Sequence, residues 1–268
     1  MSARAGERAY METELRPDER VLILGAAGFV GRRLLPELLK EGVRVKLLVR
    51  DPSRLHDAFS GEGLERIIYL GALGERGDEL SEHLKSRAEI ADILSTGKAA
   101  ATILRAAIII GAGGASFEML RYLVERLPVM VCPKWIDTRI QPIVLKDVLQ
   151  YLIGCLFNPE TKRMSFDIGG PEILTCREMM EQYAEARGLP QRIIFRVSLT
   201  PLLSAYWVDL VTPVPSGITH PLIEGLKNEV ICRENRIEQR VPIQKTPFTE
   251  GVRIAFSEEK VGPGVTGF

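Results

Sequence analysis

The stretch VLILGAAGFVGRRLLPELLKEGVRVKLLVR, residues 21–50, decides the fold class. Val21 to Leu24 is an uninterrupted apolar run, which is typical of a strand buried on both faces of a parallel sheet. Apolar residues then recur at the spacing of one helix face, at Leu34, Leu35, Leu38 and Leu39. Gly42 lies where a helix-ending glycine belongs, and Val43 to Val49 predicts a second strand. A strand, a glycine turn, a helix and a strand in this order predict one βαβ unit.

The turn between the first strand and the helix has three glycines at the spacing of a dinucleotide fingerprint, Gly25-Ala-Ala-Gly28-Phe-Val-Gly31. Gly25 permits the tight turn, Gly28 lets a pyrophosphate approach the backbone, and Gly31 lets the helix pack closely on the strand. The N–H groups at the start of the helix then face the phosphates. We therefore predict a cofactor site formed by Gly25, Ala27, Gly28, Phe29, Val30 and Gly31. The alternative is an ordinary βα turn with three incidental glycines.

The end of the second strand indicates which dinucleotide is bound. An acidic residue there holds the ribose 2′-hydroxyl of NAD, whereas an arginine accommodates the 2′-phosphate of NADP. Here Val49 is followed by Arg50, whose planar fork suits a phosphate, and then by Asp51. The sequence therefore favours NADP over NAD. The alternative is that Arg50 is a solvated surface residue and that Asp51 only opens the turn before Pro52.

Composition and charge exclude several classes of protein. Lys and Arg total 35 and Asp and Glu total 35, so the formal net charge is zero. A nucleic-acid partner is excluded because phosphate neutralisation requires a basic surplus. The apolar stretch from Ala99 to Phe117 is interrupted by Arg105, and its uncharged remainder is shorter than the roughly 20 residues of a membrane span. We therefore predict no transmembrane segment.

The cysteines and histidines are scattered. Cys132, Cys155, Cys176 and Cys232 form no closely spaced pair, and His56, His83 and His220 are far apart. This spacing predicts reduced core thiols, no disulfide framework and no metal site. The charged N-terminus lacks the apolar core of a secretory signal, so we predict a cytoplasmic protein. A plastid location, an option for a eukaryotic chain, has no support from the N-terminus.

The rest of the chain alternates apolar runs with helical patterns. The segments are a strand at Arg66–Leu70, a helix at Glu79–Leu94, a strand at Ala101–Ile110, helices at Phe117–Leu127 and Val148–Leu156, and a Thr175–Glu178 capping box opening a further helix. We predict an α/β fold with a doubly wound, Rossmann-like parallel sheet. Residues 1–19 form a mobile extension, residues 20–131 the dinucleotide-binding part, and residues 132–268 a smaller, interwoven substrate-side region.

These motifs resemble the atypical short-chain dehydrogenase/reductase superfamily, in its NmrA-like and complex-I-subunit-like branch. The resemblance rests on four segments in the family's order: GAAGFVGRRLLPELL with LLVRDPSRL, TILRAAIIIGAGGASFEMLRYL, QPIVLKDVLQYLIGCL and FDIGGPEILTCREMM. SAYWVDLVTPVPSGITHPLIEGLKNEV resembles a bacterial and plastid subgroup. The resemblance covers residues 20 to about 250 and implies a Rossmann-like fold that binds NAD(P).

The chain departs from the catalytic members of this superfamily at three positions. Those enzymes have a Tyr and a Lys four residues apart on one helix, and a Ser at the end of the preceding strand. The matching positions here are His83, Arg87 and Gly71-Ala72. His83 could exchange a proton near neutral pH, whereas Arg87 could not. His83 and Arg87 are therefore weak catalytic candidates, and the alternative is that His83 is a helix-face residue without a catalytic role.

A second departure is a gap in the family pattern. The family has two further strand–helix units where only residues 51–65 separate the second strand from Arg66–Leu70. Since each such unit takes about 30 residues, roughly 60 residues are missing. We expect Ile67 to Leu70 to pair directly beside Val21 to Leu24, in a shortened sheet. We also expect marginal stability and weak NADPH binding.

Two functions remain open from the sequence. The first is an oxidoreductase that uses NADP on a small apolar carbonyl or quinone-like substrate. The second is a non-catalytic dinucleotide-binding sensor, or an assembly or scaffold protein. The second would involve a protein partner or a homo-oligomer. Tyr206 and Trp207 suggest an apolar ligand pocket, although such aromatic residues are more often part of a core.

Overall fold

The computed structural model describes residues 21–24, 28–48, 66–73, 82–97, 99–196 and 228–261. The described strands are β1 (Val21–Leu24), β2 (Val45–Leu48), β3 (Arg66–Ala72), β4 (Ala100–Ala106), β5 (Ile109–Ile110), β6 (Val129–Cys132), β7 (Arg139–Ile140), β8 (Ile143–Val144), β9 (Ser165–Ile168), β10 (Leu174–Thr175) and β11 (Ile193–Arg196). The described helices are α1 (Gly31–Lys40), α2 (Glu82–Thr96), α3 (Ala115–Arg126), α4 (Leu145–Phe157), α5 (Cys176–Ala186), α6 (Arg236–Arg240) and α7 (Phe248–Val261). Two short 3-10 turns, Lys134–Asp137 and Pro159–Thr161, follow β6 and α4.

Parallel pairing dominates the described strands. β1 pairs with β2, and β3, β4 and β9 form a three-stranded parallel sheet in the order β3-β4-β9. Two shorter parallel pairs, β5 with β8 and β6 with β11, extend this arrangement, and only β7 with β10 is antiparallel among the pairs described. This architecture confirms the predicted α/β class and Rossmann-like sheet. The domain division at residue 131 remains a prediction, and the extension at residues 1–19 lies outside the described residues.

The expected pairing of Ile67–Leu70 with Val21–Leu24 is wrong. These segments belong to β3 and β1, which lie in different sheets, since β1 pairs with β2 and β3 pairs with β4 over its whole length. The β1–α1–β2 unit is held by apolar packing of Ile23 and Leu38 against Phe157 of α4, and α1 also contacts α4. Side-chain packing, and not backbone pairing with β3, therefore connects this unit to the rest of the described fold.

The strand predicted over Ala101–Ile110 is two strands. β4 ends at Ala106 in the three-stranded sheet, and β5 begins at Ile109 and pairs with β8. Between them, the carbonyl oxygen of Ile108 accepts a hydrogen bond from the N–H of Ile143 at 2.9 Å. The chain therefore changes its pairing partner at Ala107 and Ile108. The apolar run continues through this break because both strands are largely buried.

Helix ends follow their predicted signals. Gly42 follows α1 with φ of +75°, a backbone conformation that favours glycine. At the start of α5, the Thr175 hydroxyl accepts from the Glu178 N–H at 3.1 Å, and the Glu178 carboxylate accepts from the Thr175 N–H at 2.7 Å. The predicted capping box is thus confirmed. α2 begins at Glu82 and ends at Thr96, which shifts the predicted helix toward the C-terminus.

Two polar side chains tie distant segments to α4. The Arg66 guanidinium donates to the carbonyl oxygens of Leu156 and Asn158 at 3.1 and 3.0 Å, where helix carbonyls lack partners within the helix. At the other end of α4, the fully buried Asp147 accepts from both the N–H and the hydroxyl of Thr246 at 2.8 Å. Burial raises the pKa of the Asp147 carboxyl, and the Thr246 hydrogen bonds oppose that rise.

The largest apolar core lies among α3, α5 and α7. Three rings from these helices, Phe117, Tyr183 and Phe256, have centroids 5.9–6.1 Å apart. Cys132 and Cys176 are buried in this core and Cys155 is buried on α4, all as free thiols, which confirms the prediction of core thiols for these three. Cys232 is also a free thiol but is only partly buried. Burial raises the pKa of Cys132 and Cys155 to about 11, so these thiols are protonated. Within the described helices, none combines the length and apolar content of a membrane span.

Candidate functional site

The predicted cofactor turn enters α1 with an uncovered helix start. Val30 is the N-cap residue and its side chain makes no capping hydrogen bond, while the first turn of the helix contains no acidic residue. Gly28 is exposed, and its carbonyl oxygen accepts from the Arg32 N–H at 3.1 Å. The N–H groups of Arg33 and Leu34 also donate, both to the carbonyl oxygen of Val30. The backbone donors that an anion could use are therefore those that precede Arg32, at the positive end of the helix. Gly25, Ala27 and Arg50 lie outside the described residues, and their roles remain predictions.

A second glycine-rich turn, residues 111–114 after β5, contacts the predicted cofactor turn. A Cβ atom on Gly114 would lie 2.7 Å from Cζ of Phe29, and one on Gly111 would lie 3.2 Å from the same atom. The Phe29 ring therefore packs against the backbone of Gly111 and Gly114. A side chain at either glycine would displace the ring. Gly113 has φ of +76°. The structure thus brings the start of α1 to the segment that follows β5.

Arg33 contacts both the predicted cofactor turn and the 111–114 turn. Its Cζ lies 5.1 Å from the centroid of the Phe29 ring, and its guanidinium donates to the carbonyl oxygens of Phe29 and Ala112 at 3.3 and 2.5 Å. The same guanidinium lies 3.3 Å from the carboxylate of Glu258 in α7. Arg33 is therefore occupied by protein groups, and it links α1, the 111–114 turn and α7.

The Arg32 side chain lies beside Gly113 and does not share the contacts of Arg33. Its guanidinium lies beside Gly113, at 2.6 Å from where a Cβ atom of that residue would stand. Within the part of the chain that the structure describes, it has no ion pair or side-chain hydrogen bond. Partial burial lowers the pKa of Arg32, and the nearby charge of Arg33 lowers it further. A positive charge in the first turn of a helix is electrostatically unfavourable unless an anion accompanies it.

Arg32 is not among the site residues that the sequence predicts. The available signal was the Arg32-Arg33 pair directly after Gly31, at helix positions where acidic residues are the favourable choice. The sequence could not separate the two arginines, because only the fold shows that Arg33 is used by Ala112 and Glu258.

The catalytic candidates are only partly described. His83 and Arg87 lie in the first two turns of α2, and their side chains are outside the described ones. The end of β3 is defined: Gly71 is buried, and Leu73 continues the backbone pairing by donating to the carbonyl oxygen of Ala106 at 2.8 Å. This strand end therefore offers no hydroxyl. Tyr206 and Trp207, the predicted pocket aromatics, lie outside the described residues.

Across the ranges given above, no three His, Cys, Asp or Glu side chains are grouped closely enough to hold a metal ion.

Comparisons with known proteins support this fold. Residues 21–125, from β1 to α3, match the model of the NAD dependent epimerase/dehydratase family. An NADPH-dependent quinone oxidoreductase from Escherichia coli superposes with a TM-score of 0.68 at 15% identity, over 88% of this chain and 99% of that one. A nucleoside-diphosphate-sugar epimerase from Staphylococcus aureus gives a TM-score of 0.66 at 16% identity, over 88% and 100%. At these identities the superpositions show the fold.

One curated relative extends the similarity to a subunit of a larger complex. The chain is 23% identical over 166 residues to the mitochondrial NADH dehydrogenase [ubiquinone] 1 alpha subcomplex subunit 9 of Arabidopsis thaliana. The aligned region is 61% of this chain and spans only 41% of the length of that relative. Together with the family match, this similarity confirms the resemblance to the atypical reductase superfamily and its complex-I-subunit-like branch.

Proposed function

We propose that the chain binds a nicotinamide dinucleotide with its phosphates at the start of α1. The observation that carries this proposal is the first turn of α1, which has no acidic residue, no side-chain cap, and an Arg32 with no ion pair among the described residues. This charge arrangement fits a phosphate group, since backbone N–H groups and a guanidinium both donate to its oxygens. The family match over the same segment supports a dinucleotide as the phosphate-bearing ligand.

NADP is the preferred form in this proposal. Arg50 follows the second predicted strand, where an arginine accommodates the 2′-phosphate, and Arg32 supplies a further cation at the start of α1. The similar oxidoreductase from Escherichia coli is described as NADPH-dependent, which supports the same preference. Arg32 would contact the pyrophosphate and act on both cofactors, whereas Arg50 would act on NADP alone.

The proposed reaction is reduction of a small apolar carbonyl or quinone-like compound. A bound nicotinamide supplies the hydride, so the protein has to orient the substrate and provide a proton. The Phe29 ring packs against the 111–114 turn beside the helix start that would bind the phosphates. His83 is the candidate proton donor because imidazole can give up a proton near neutral pH.

A second candidate function is dinucleotide binding without turnover, in a sensor or assembly protein. It is favoured by the end of β3, where Gly71-Ala72 provides no hydroxyl, and by Arg87, which stays charged and cannot relay a proton. The similarity to a complex I subunit supports a structural role within an assembly.

Parallel binding and turnover measurements test the proposed function. NADPH and NADH affinities are measured by calorimetry, and NADPH oxidation is followed against a panel of carbonyls and quinones. We expect Arg32→Gln to weaken binding of both cofactors about tenfold, since charge-assisted hydrogen bonds are worth about 1.5–3 kcal/mol. The matched control Arg253→Gln removes an exposed arginine of α7 and should leave binding unchanged.

The outcomes separate the two candidate functions. NADPH binding with turnover supports the reductase, and NADPH binding without turnover on any compound supports the non-catalytic protein. Unchanged affinity in Arg32→Gln would remove Arg32 from the site. No binding of either cofactor by the unmodified chain would overturn the proposal.

A further inference from the structure

A cavity of about 400 Å³ lies beside β9, among residues that have no place in the dinucleotide site. Its volume falls within the range of small-molecule sites. Its walls come from β9, α4 and the segment that contains α6. The residues that matter for its chemistry are Gln141, Tyr151, Asp167, Cys232, Asn235 and Lys245.

The cavity contains a polar group without a partner. Tyr151 is fully buried, and its hydroxyl forms no hydrogen bond within the described chain. Burial raises the pKa of Tyr151 above its ordinary value, and the charge of Glu238 raises it further, so the hydroxyl remains a neutral donor. Buried polar groups are almost always satisfied, and an orphan hydroxyl lining a cavity therefore points to a molecule that accepts from it.

The carboxylates around the cavity are already neutralised. Asp167 lies 2.6 Å from the guanidinium of Arg105, and its other oxygen accepts from the N–H of Arg233 at 2.9 Å. Glu238 pairs with Lys245 at 2.5 Å, and Glu234 pairs with Arg236 at 2.8 Å. Arg233 also lines the cavity, and its guanidinium has no ion pair among the described residues, but it is exposed and would meet an anion only at the rim. An ion held deeper in the cavity would have to break one of these pairs or be bound without a counter-charge. The balance of charges favours a neutral ligand.

The remaining walls are fixed and uncharged. The Gln141 amide is held at both ends, since it donates to the carbonyl oxygen of Gly170 at 2.8 Å and accepts from the N–H of Cys232 at 3.0 Å. Burial is the main cause that raises the pKa of the Cys232 thiol to about 12, which keeps it protonated. Ile173 and Ile237 add apolar surface. Polar groups on a partly apolar wall are typical of sites for small polar molecules.

We propose that this cavity is a second binding site, for a small neutral compound that bears hydroxyl or carbonyl oxygens. One of these oxygens accepts the hydrogen bond of the Tyr151 hydroxyl. Asn235 and Lys245 reach further oxygens from the polar side, and Ile173 and Ile237 contact the carbon skeleton. The site does not depend on a bound dinucleotide.

Methyl NMR with isoleucine-labelled protein tests this site directly. D-glucose and myo-inositol are the neutral probes, glucose 6-phosphate is the charged one, and all spectra are recorded without NADPH. We expect saturable shifts of the Ile173 and Ile237 methyl groups with a neutral probe, and binding of the phosphate at least about tenfold weaker. The methyl groups of Ile90 and Ile93, exposed on α2, are the internal control and should not move.

Tyr151→Phe removes only the hydroxyl. We expect this variant to bind the neutral probe about tenfold more weakly. The Tm of the ligand-free protein should be unchanged or higher, because the Tyr151 hydroxyl makes no hydrogen bond that the substitution would remove. Tyr122→Phe, at a half-exposed tyrosine of α3, is the matched control and should bind normally. Failure of both neutral probes to shift Ile173 and Ile237 would overturn the proposal. The proposal would also be overturned if Tyr151→Phe bound the neutral probe as tightly as the unmodified chain, or if the chain preferred glucose 6-phosphate to the neutral probes.

Discussion

The β1–α1–β2 unit and the helical core of α3, α5 and α7 differ sharply in how they are held. The first unit buries a small cluster around Ile23, Leu38 and Val43, while Leu39 of α1 remains 57% exposed. The second contains a continuous core in which Phe117 and Tyr183 are fully buried. Resistance to local unfolding follows the amount of buried apolar surface. The helix start that we assign to phosphate binding therefore belongs to the less firmly anchored region.

The largest effect is expected from the helical core. Phe117→Ala removes a fully buried ring that packs against Tyr183 and Phe256, and we expect it to lower the free energy of unfolding by about 3–5 kcal/mol. Urea denaturation monitored by circular dichroism measures this loss. Ile193→Ala, at a residue 53% exposed, is the control and should change stability little. A small loss in Phe117→Ala would contradict the contrast between the two regions.

Leu38→Ala should produce a smaller and local effect. We expect a loss of about 2–3 kcal/mol, because the partly exposed surroundings of Leu38 can collapse around the truncated side chain. Hydrogen–deuterium exchange should show faster exchange in β1 and β2 but unchanged protection in α3 and α5. Equal loss of protection in both regions would show that they unfold as one unit.

Arg66 links β3 to the end of α4, which also carries Phe157 of the small cluster. Arg66→Ala leaves the carbonyl oxygens of Leu156 and Asn158 without this donor, and we expect a loss of about 1–3 kcal/mol. Arg66→Lys should lose less, since an ammonium can still donate to one of them. Thermal denaturation of both variants measures which substitution lowers the stability more. A larger loss in the lysine variant would contradict this expectation.

The smallest effect concerns the capping box of α5 and depends on pH. Hydrogen bonds from the N–H and the hydroxyl of Thr175 lower the pKa of Glu178 below its ordinary 4.5. The carboxylate therefore stabilises the folded state above that value, and this contribution is lost as the pH falls through the lowered pKa. Glu178→Gln should have a slightly lower Tm than the unmodified chain at pH 7, and the difference should shrink in acid. A Tm difference that grew as the pH fell would contradict the prediction that the ionised Glu178 carboxylate stabilises the folded state.

Local signals in the sequence predicted much of the fold, and long-range pairing decided what they missed. The strand at Val21–Leu24 and the Thr175–Glu178 box depend on neighbouring residues, and both were predicted correctly. The break at Ala107 was missed because it depends on pairing with β8, far along the chain. Among the described residues it is Arg33, and not Arg32, that has an ion pair, and this could not be predicted either, since it depends on the distant residues Ala112 and Glu258.

The separation of β1–β2 from β3–β4–β9 has a consequence for how the protein behaves in concentrated solution. One continuous sheet has two lateral edges, whereas these two separate sheets have four between them. Each edge has a row of backbone donors and acceptors that can template a strand from another molecule. Among the described residues, a sheet divided in this way therefore offers twice as many edges at which a strand of a second molecule could pair.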